Sequence, residues 1–169
     1  MLFPNLPSSS KTLVFTASSF LSEAEAESFI MRLSAFIRTW QSHGSGLSAD
    51  LKLIANRLLI VAIDESGVSA SGCSLDSLTH FLKAEVNTTQ IDWFNRTEVL
   101  HRPHLSTPTN INDGWTVTSQ SEFHDLLKSD QLSLDTEVLN TTVMTLASAR
   151  LILVQKVSES WHAQMVLFS

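Results

Sequence analysis

The sequence predicts one α+β domain over 1–169, with a mixed or antiparallel sheet of about four to six strands and packed helices. The length of 169 residues suits one domain, and 43% hydrophobic against 17% charged residues is enough to fill a core. The hydrophobic period also switches along the chain between strand-like and helix-like segments. The chain has no internal repeat and no linker long enough to divide it.

The N-terminal segments predict a strand followed by a helix. Lys11–Ala17 is rich in β-branched and aromatic residues, which favour a strand. Ser22 and Glu25 have the spacing of a capping box at a helix start, and apolar residues at helical spacing continue to Trp40. We expect Gly44 to cap the C-terminal end of this helix in a left-handed conformation.

The next segment predicts the centre of the sheet. Leu51–Ile54 and Arg57–Ile63 form two strands joined by a turn at Ala55–Asn56, or else Asp50–Ile63 is one long strand with a bulge. The run Leu58–Ile63 is apolar throughout, so we expect a central strand that is buried on both faces.

The rest of the chain predicts shorter elements. In order they are a helix at Ser74–Glu85, a strand at Arg96–His101, a loop at His104–Gly114, a helix at Ser121–Lys128 capped by Thr118 or Ser119, a strand at Glu137–Met144, a helix at Thr145–Leu151 and an apolar end at Met165–Phe168. The polar, proline-containing loop is a candidate lid or disordered segment.

Composition excludes several classes of function. A net charge of -6 argues against a protein that binds nucleic acid or an anionic membrane, because both need clustered Lys and Arg. Met1–Ser10 lacks the basic start of a secretory signal, and the longest apolar run is far too short to span a bilayer. The single cysteine permits no internal disulfide. We therefore expect a cytoplasmic protein without membrane insertion.

The sequence predicts neither a metal nor a cofactor. His101 and His104 lie close together, but no further Cys or His follows at a zinc-like spacing. No glycine is followed by lysine, so the phosphate-binding loop of nucleotide hydrolases is missing. The dinucleotide fingerprint begins at Gly44 and Gly46 but is not completed.

One unusual cluster surrounds Cys73 at the start of a predicted helix. It contains Ser71, Gly72, Ser74 and Asp76. Backbone N–H groups at a helix start could activate a thiolate, or could hold a phosphate or carboxylate. The alternative is purely structural, because Ser and Asp are ordinary helix caps and Cys is often a small core residue.

Two further clusters contain histidine and tryptophan. Trp40 and His43 lie at the end of the first helix, and Trp161 and His162 lie near the C-terminus. Either histidine could serve as a base, with Asp64 or Asp76 orienting its ring. The tryptophans could form a contact surface, although packing alone explains them equally well.

These motifs, in this order, resemble a group of small bacterial proteins of about this length. Some members of that group carry the label "ABC transporter ATPase". The matching residues are Trp40, His43, Gly44, Asp64, Glu65, Ser71–Ser77 apart from Leu75, and Ser160–His162. The resemblance covers nearly the whole chain but implies no mechanism, and the ATPase label has no support in the residues.

Two functions follow as hypotheses. The favoured one is a binding or assembly module for a small ligand or a protein, with a pocket near Cys73. The alternative is a thiol-dependent hydrolase or acyl-transfer enzyme that uses Cys73 with His162 or His43. We expect at least two of the three clusters to meet in one pocket at the N-terminal end of the Ser74 helix, with His162 as the favoured neighbour of Cys73. The sequence identifies no partner and leaves a homo-oligomer open.

Overall fold

A computed structural model describes residues 1–104 and 110–164. The chain divides into two units, the first formed by Met1–Asn95 and Thr142–Arg150, the second by Arg96–Thr141 and Leu151–Ser169. The central part of the predicted lid, 105–109, and the apolar end at Met165–Phe168 lie outside the described residues. One domain over 1–169 stays a prediction.

The α+β class is confirmed. Over 1–104 and 110–164 the chain forms four α-helices and three antiparallel sheets of three, two and four strands, so the strands are not gathered in one sheet. In chain order the elements are β1 (Lys11–Thr16), α1 (Glu23–Thr39), β2 (Gln41–Ser42), β3 (Ser45–Gly46), β4 (Ser48–Ile54), β5 (Leu58–Asp64), α2 (Gly72–Thr89), β6 (Glu98–Arg102), β7 (Thr116–Ser119), α3 (Gln120–Lys128), β8 (Glu137–Leu139), α4 (Leu146–Ile152), β9 (Val154–Lys156) and two 3₁₀ helices, Val157–Glu159 and Trp161–Ala163.

The first unit is built on the sheet β1-β5-β4. All residues of Leu58–Ile63 are buried, which confirms the predicted central strand. The capping box of α1 is also confirmed, since Ser22 and Glu25 bond to each other's backbone N–H groups. One side of the sheet packs with the buried faces of α1 and α2, which contribute Phe29, Leu33, Ile37, Leu78 and Leu82.

Two turns in this unit depend on left-handed backbone. Ala55 and Asn56 have φ of 53° and 50° and join β4 to β5, so the two-strand interpretation is correct. His43 and Gly44 have φ of 51° and 81° and form the two-residue loop between β2 and β3. The expected role of Gly44 as a helix cap is therefore wrong. The helix ends at Trp40, whose backbone is extended.

The second unit contains the sheet β7-β6-β8-β9, with α3 packed on it. Ser119 caps α3 by accepting from the Glu122 N–H. The small core of the second unit is formed by Val99, Phe123, Leu127, Val138 and Val157. The predicted strand at Glu137–Met144 is shorter than expected, and β7 was not predicted.

No helix within 1–104 and 110–164 has the length and apolar character needed to cross a membrane.

Candidate functional site

The first turn of α2 presents Cys73 to solvent. Ser71 is the N-cap and its Oγ accepts from the Ser74 N–H at 3.2 Å, while the Ser74 hydroxyl donates to the Ser71 carbonyl at 2.8 Å. Gly72 and Cys73 are the first two helical residues and both are exposed. Among the described residues nothing accepts from their N–H groups, as expected for the first donors of a helix.

The side chain of Trp40 holds this turn in place through two hydrogen bonds. Its indole is buried, and Nε1 donates to the Ser74 carbonyl at 2.9 Å and to Ser77 Oγ at 3.0 Å. The Trp40 carbonyl in turn accepts from the Leu47 N–H at 2.9 Å, where the β2–β3 hairpin returns. Trp40 therefore contacts the Ser71–Ser77 cluster, and the expected shared pocket at this helix start stays a prediction.

His43 lies in the turn of this hairpin and is exposed. Asp76 is also exposed, and its backbone carbonyl lies 2.7 Å from Nδ1 of His80, one helical turn further along α2. Within the described part of the first unit, neither His43 nor His80 forms a hydrogen bond with Cys73. This unit therefore contains no thiol–imidazole pair.

Asp64 serves the loop between β5 and α2. Its Oδ1 accepts from the Ser66 N–H at 2.9 Å, and hydrogen bonds from the backbone and side chain of Ser66 lower the pKa of Asp64. Glu65 Oε1 accepts from the Ala70 N–H at 2.9 Å and closes the same loop. In the described residues these carboxylates bond to the loop that leads to Ser71, and no bond joins Asp64 to an imidazole.

The C-terminal cluster belongs to the second unit. His162 is 2% exposed, whereas Trp161 is 36% exposed and stacks on the imidazole with ring centres 3.8 Å apart. Nδ1 of His162 lies 3.1 Å from Ser160 Oγ, and burial lowers the pKa of His162 to about 4. Cys73 lies in the first unit, so the expected approach of His162 to Cys73 stays a prediction.

A second buried histidine in this unit was not singled out for function by the sequence. His101 and His162 both contact the ring of Phe123, with centre distances of 5.2 and 5.8 Å. Burial lowers the pKa of His101, against a smaller raising effect of Glu122. No described group bonds to the buried Nε2 of His101. Both rings are therefore neutral core residues at neutral pH.

A polar cluster in the second unit joins Arg102 to Glu137 and to residues 110–113. Arg102 Nε donates to Glu137 Oε2 at 2.7 Å, and its guanidinium lies 4.4 Å from the ring centre of Trp115. Its NH1 group also donates to the carbonyls of Asn110 and Asp113. These bonds connect β6 to β8 and to residues 110–113.

A cavity of about 530 Å³ lies between α1 and α2 at the opposite end of α2 from Cys73. Arg32 lines it and is paired with the carboxylate of Glu85, with Nε–Oε1 at 3.0 Å. Ser28 Oγ accepts from the same guanidinium at 2.6 Å. The sequence does not reveal this cavity, because its two walls come from segments far apart in the chain.

Within 1–104 and 110–164, no group of three His, Cys, Asp or Glu side chains is placed to hold a metal ion. No protein-family model matches the chain, and neither a curated protein nor a solved structure is significantly similar to it.

Proposed function

We propose that the protein is a non-catalytic binding module of the bacterial cytoplasm that holds a small ligand or a partner protein at the first turn of α2, around Cys73. The group it would bind directly is a phosphate or carboxylate. The resemblance to the small bacterial proteins labelled "ABC transporter ATPase" is part of this proposal, without the ATPase activity.

The observation that carries the proposal is the exposed, fixed first turn of α2. The N–H groups of Gly72 and Cys73 have no described acceptor and lie in the first turn of an 18-residue helix. Such groups, together with the helix dipole, favour a negatively charged ligand. The first turn of α2 contains no acidic side chain that would compete for them.

The fixed position of this turn is the second support. The Ser71 cap holds its backbone, and the indole of Trp40 bonds to the carbonyl of Ser74. A preformed set of donors loses little conformational entropy when a ligand binds. Strand β2 follows directly from Trp40 and contacts α2.

The thiol-enzyme alternative has less support. A cysteine nucleophile needs a base within hydrogen-bond reach, and the described histidines of the first unit do not provide one for Cys73. The acidic net charge of -6 also fits a ligand other than nucleic acid or an anionic membrane.

The direct test is a titration of the ¹⁵N-labelled protein with inorganic phosphate and with acetate, followed by amide chemical shifts. We expect a saturable shift at the amides of Gly72 and Cys73 for at least one of the two anions. Potassium chloride at equal ionic strength is the reference. No saturable shift at these amides with either anion would contradict the proposal.

Gly72 offers a matched pair of variants. Gly72→Pro removes one N–H donor, and proline is well tolerated at the first position of a helix. The preceding Ser71, with φ of -84° and ψ of 165°, already has the conformation that proline requires of its neighbour. Gly72→Ala keeps the donor, and its added Cβ would meet nothing within 4 Å. We expect weaker anion binding in Gly72→Pro only. Equal binding in both variants would show that the Gly72 N–H does not contact the anion.

A further inference from the structure

The sheet of the first unit ends in the edge strand β4. Strand β4 is the outer member of the order β1-β5-β4, and within the described residues it pairs only with β5. An edge strand has backbone N–H and C=O groups that can pair with another chain. We propose that β4 is a self-association surface, on which β4 of a second copy pairs antiparallel about a two-fold axis through Leu51.

The direction of the free backbone groups follows from the hydrogen bonds. Ile54 faces β5, because its carbonyl accepts from the Arg57 N–H and it is in register with Leu58. The N–H and C=O groups of alternate residues point to opposite sides of a strand. The outward-facing groups of β4 therefore belong to Ala49, Leu51 and Leu53.

A second bond agrees with this assignment. The Leu51 N–H donates to Asp50 Oδ1 at 2.8 Å, so it is not used in the ladder with β5. On the side of β5 that faces β1, the Ala17 N–H donates to the Arg57 carbonyl. The backbone groups of β5 therefore alternate in direction in step with those of β4.

This alternation makes β4 self-complementary about Leu51. With Leu51 opposite Leu51 of the second copy, Ala49 lies opposite Leu53, so outward-facing groups meet outward-facing groups. Each such pair exchanges two backbone hydrogen bonds. The side chains of all three residues are half-buried and pack against the core of the first unit, and a second copy would cover them further.

The charges on the strand support the same register. Asp50 and Lys52 are the charged residues of Ser48–Ile54. Pairing about Leu51 places Asp50 of one copy directly opposite Lys52 of the other. They lie at non-hydrogen-bonded positions, where opposing side chains come closest. Opposite charges in such pairs stabilise a sheet, and like charges destabilise it. Asp50 would release the Leu51 N–H and pair with Lys52 of the second copy.

The test is sedimentation equilibrium of the wild-type chain at concentrations from about 5 to about 500 μM, a range chosen because one short strand buries little area and gives a weak dimer. We expect a reversible monomer–dimer equilibrium. A wild-type chain that stays monomeric throughout would overturn the proposal, and would mean that Asp50 and Lys52 instead protect the edge from pairing.

A charge exchange tests the register. Lys52→Glu and Asp50→Lys each place like charges opposite each other, and we expect each to weaken the dimer by about tenfold. The double variant Asp50→Lys/Lys52→Glu restores opposite charges and should restore the wild-type affinity. Circular dichroism checks that every variant folds. A dimer that neither single variant weakens, or that the double variant does not restore, would place the interface elsewhere.

Discussion

Acid should destabilise this protein through the buried imidazole of His162. The imidazole is 2% exposed, and burial holds its pKa at about 4 in the folded chain. In the unfolded chain the pKa of histidine is about 6.5. The unfolded state therefore binds more protons as the pH falls through this window. Stability is fully present above about pH 6.5 and is lost progressively towards about pH 4.

The two pKa values set the magnitude. Between pH 7 and pH 5 their difference removes about 2 kcal/mol from the free energy of unfolding, through His162 alone. His101 adds to the loss, because burial lowers its pKa as well. The carboxyl groups with lowered pKa, such as Asp64, lose their contribution mainly below this window.

Urea unfolding at pH 7 and pH 5, followed by circular dichroism, measures this loss. The variant His162→Phe keeps a ring against Trp161 and Phe123 but cannot titrate, so its loss between the two pH values should be smaller by about 2 kcal/mol. The exposed His80, replaced in His80→Gln, is the control and should behave as the wild type. An equal pH dependence in His162→Phe and the wild type would refute the reasoning.

Three further predictions concern the first unit. Leu33→Ala should lower the free energy of unfolding by about 2–5 kcal/mol, because Leu33 is 0% exposed; less than about half a kcal/mol in a urea titration would show that it is not core. Gly44→Ala should cost about 1 kcal/mol at its φ of 81°, whereas Gly46→Ala should be neutral, and equal melting temperatures would contradict the turn assignment. Arg150→Met should lose about 2–3 kcal/mol and speed proteolysis within 1–8, because its guanidinium bonds to three carbonyls and one hydroxyl there; unchanged proteolysis would count against this.

Local signals made much of the first unit predictable. The capping box of Ser22 and Glu25 and the apolar stripe that follows it depend only on neighbouring residues, and α1 forms where they predict it. The apolar run Leu58–Ile63 likewise occupies the centre of its sheet. In these segments local propensity and tertiary packing favour the same structure.

The error at Gly44 has a physical cause. A glycine just after a helix favours a left-handed cap, but a glycine with a polar neighbour equally favours a two-residue hairpin turn. The choice depends on Trp40, whose indole bonds to Ser74 in a distant segment and whose extended backbone ends the helix early. Sequence spacing alone does not reveal that contact.

The candidate site was predictable in part. The position of Cys73 at a helix start followed from the local pattern. The contact between Trp40 and Ser74 did not, because it depends on a strand order that the sequence does not give. The burial of His162 did not, because its surroundings include Phe123, which lies far away in the sequence. The outward-facing groups of β4 also needed the strand register, which the sequence left open between two interpretations.

The most direct test of the proposed binding module is the rate at which iodoacetamide alkylates Cys73, with and without inorganic phosphate. The thiol is exposed beside the Gly72 N–H, so a bound anion should shield it. We predict slower alkylation as phosphate is added, saturating in the wild type and in Gly72→Ala, and a much weaker effect in Gly72→Pro. An alkylation rate that phosphate does not change relative to potassium chloride of equal ionic strength would contradict the account.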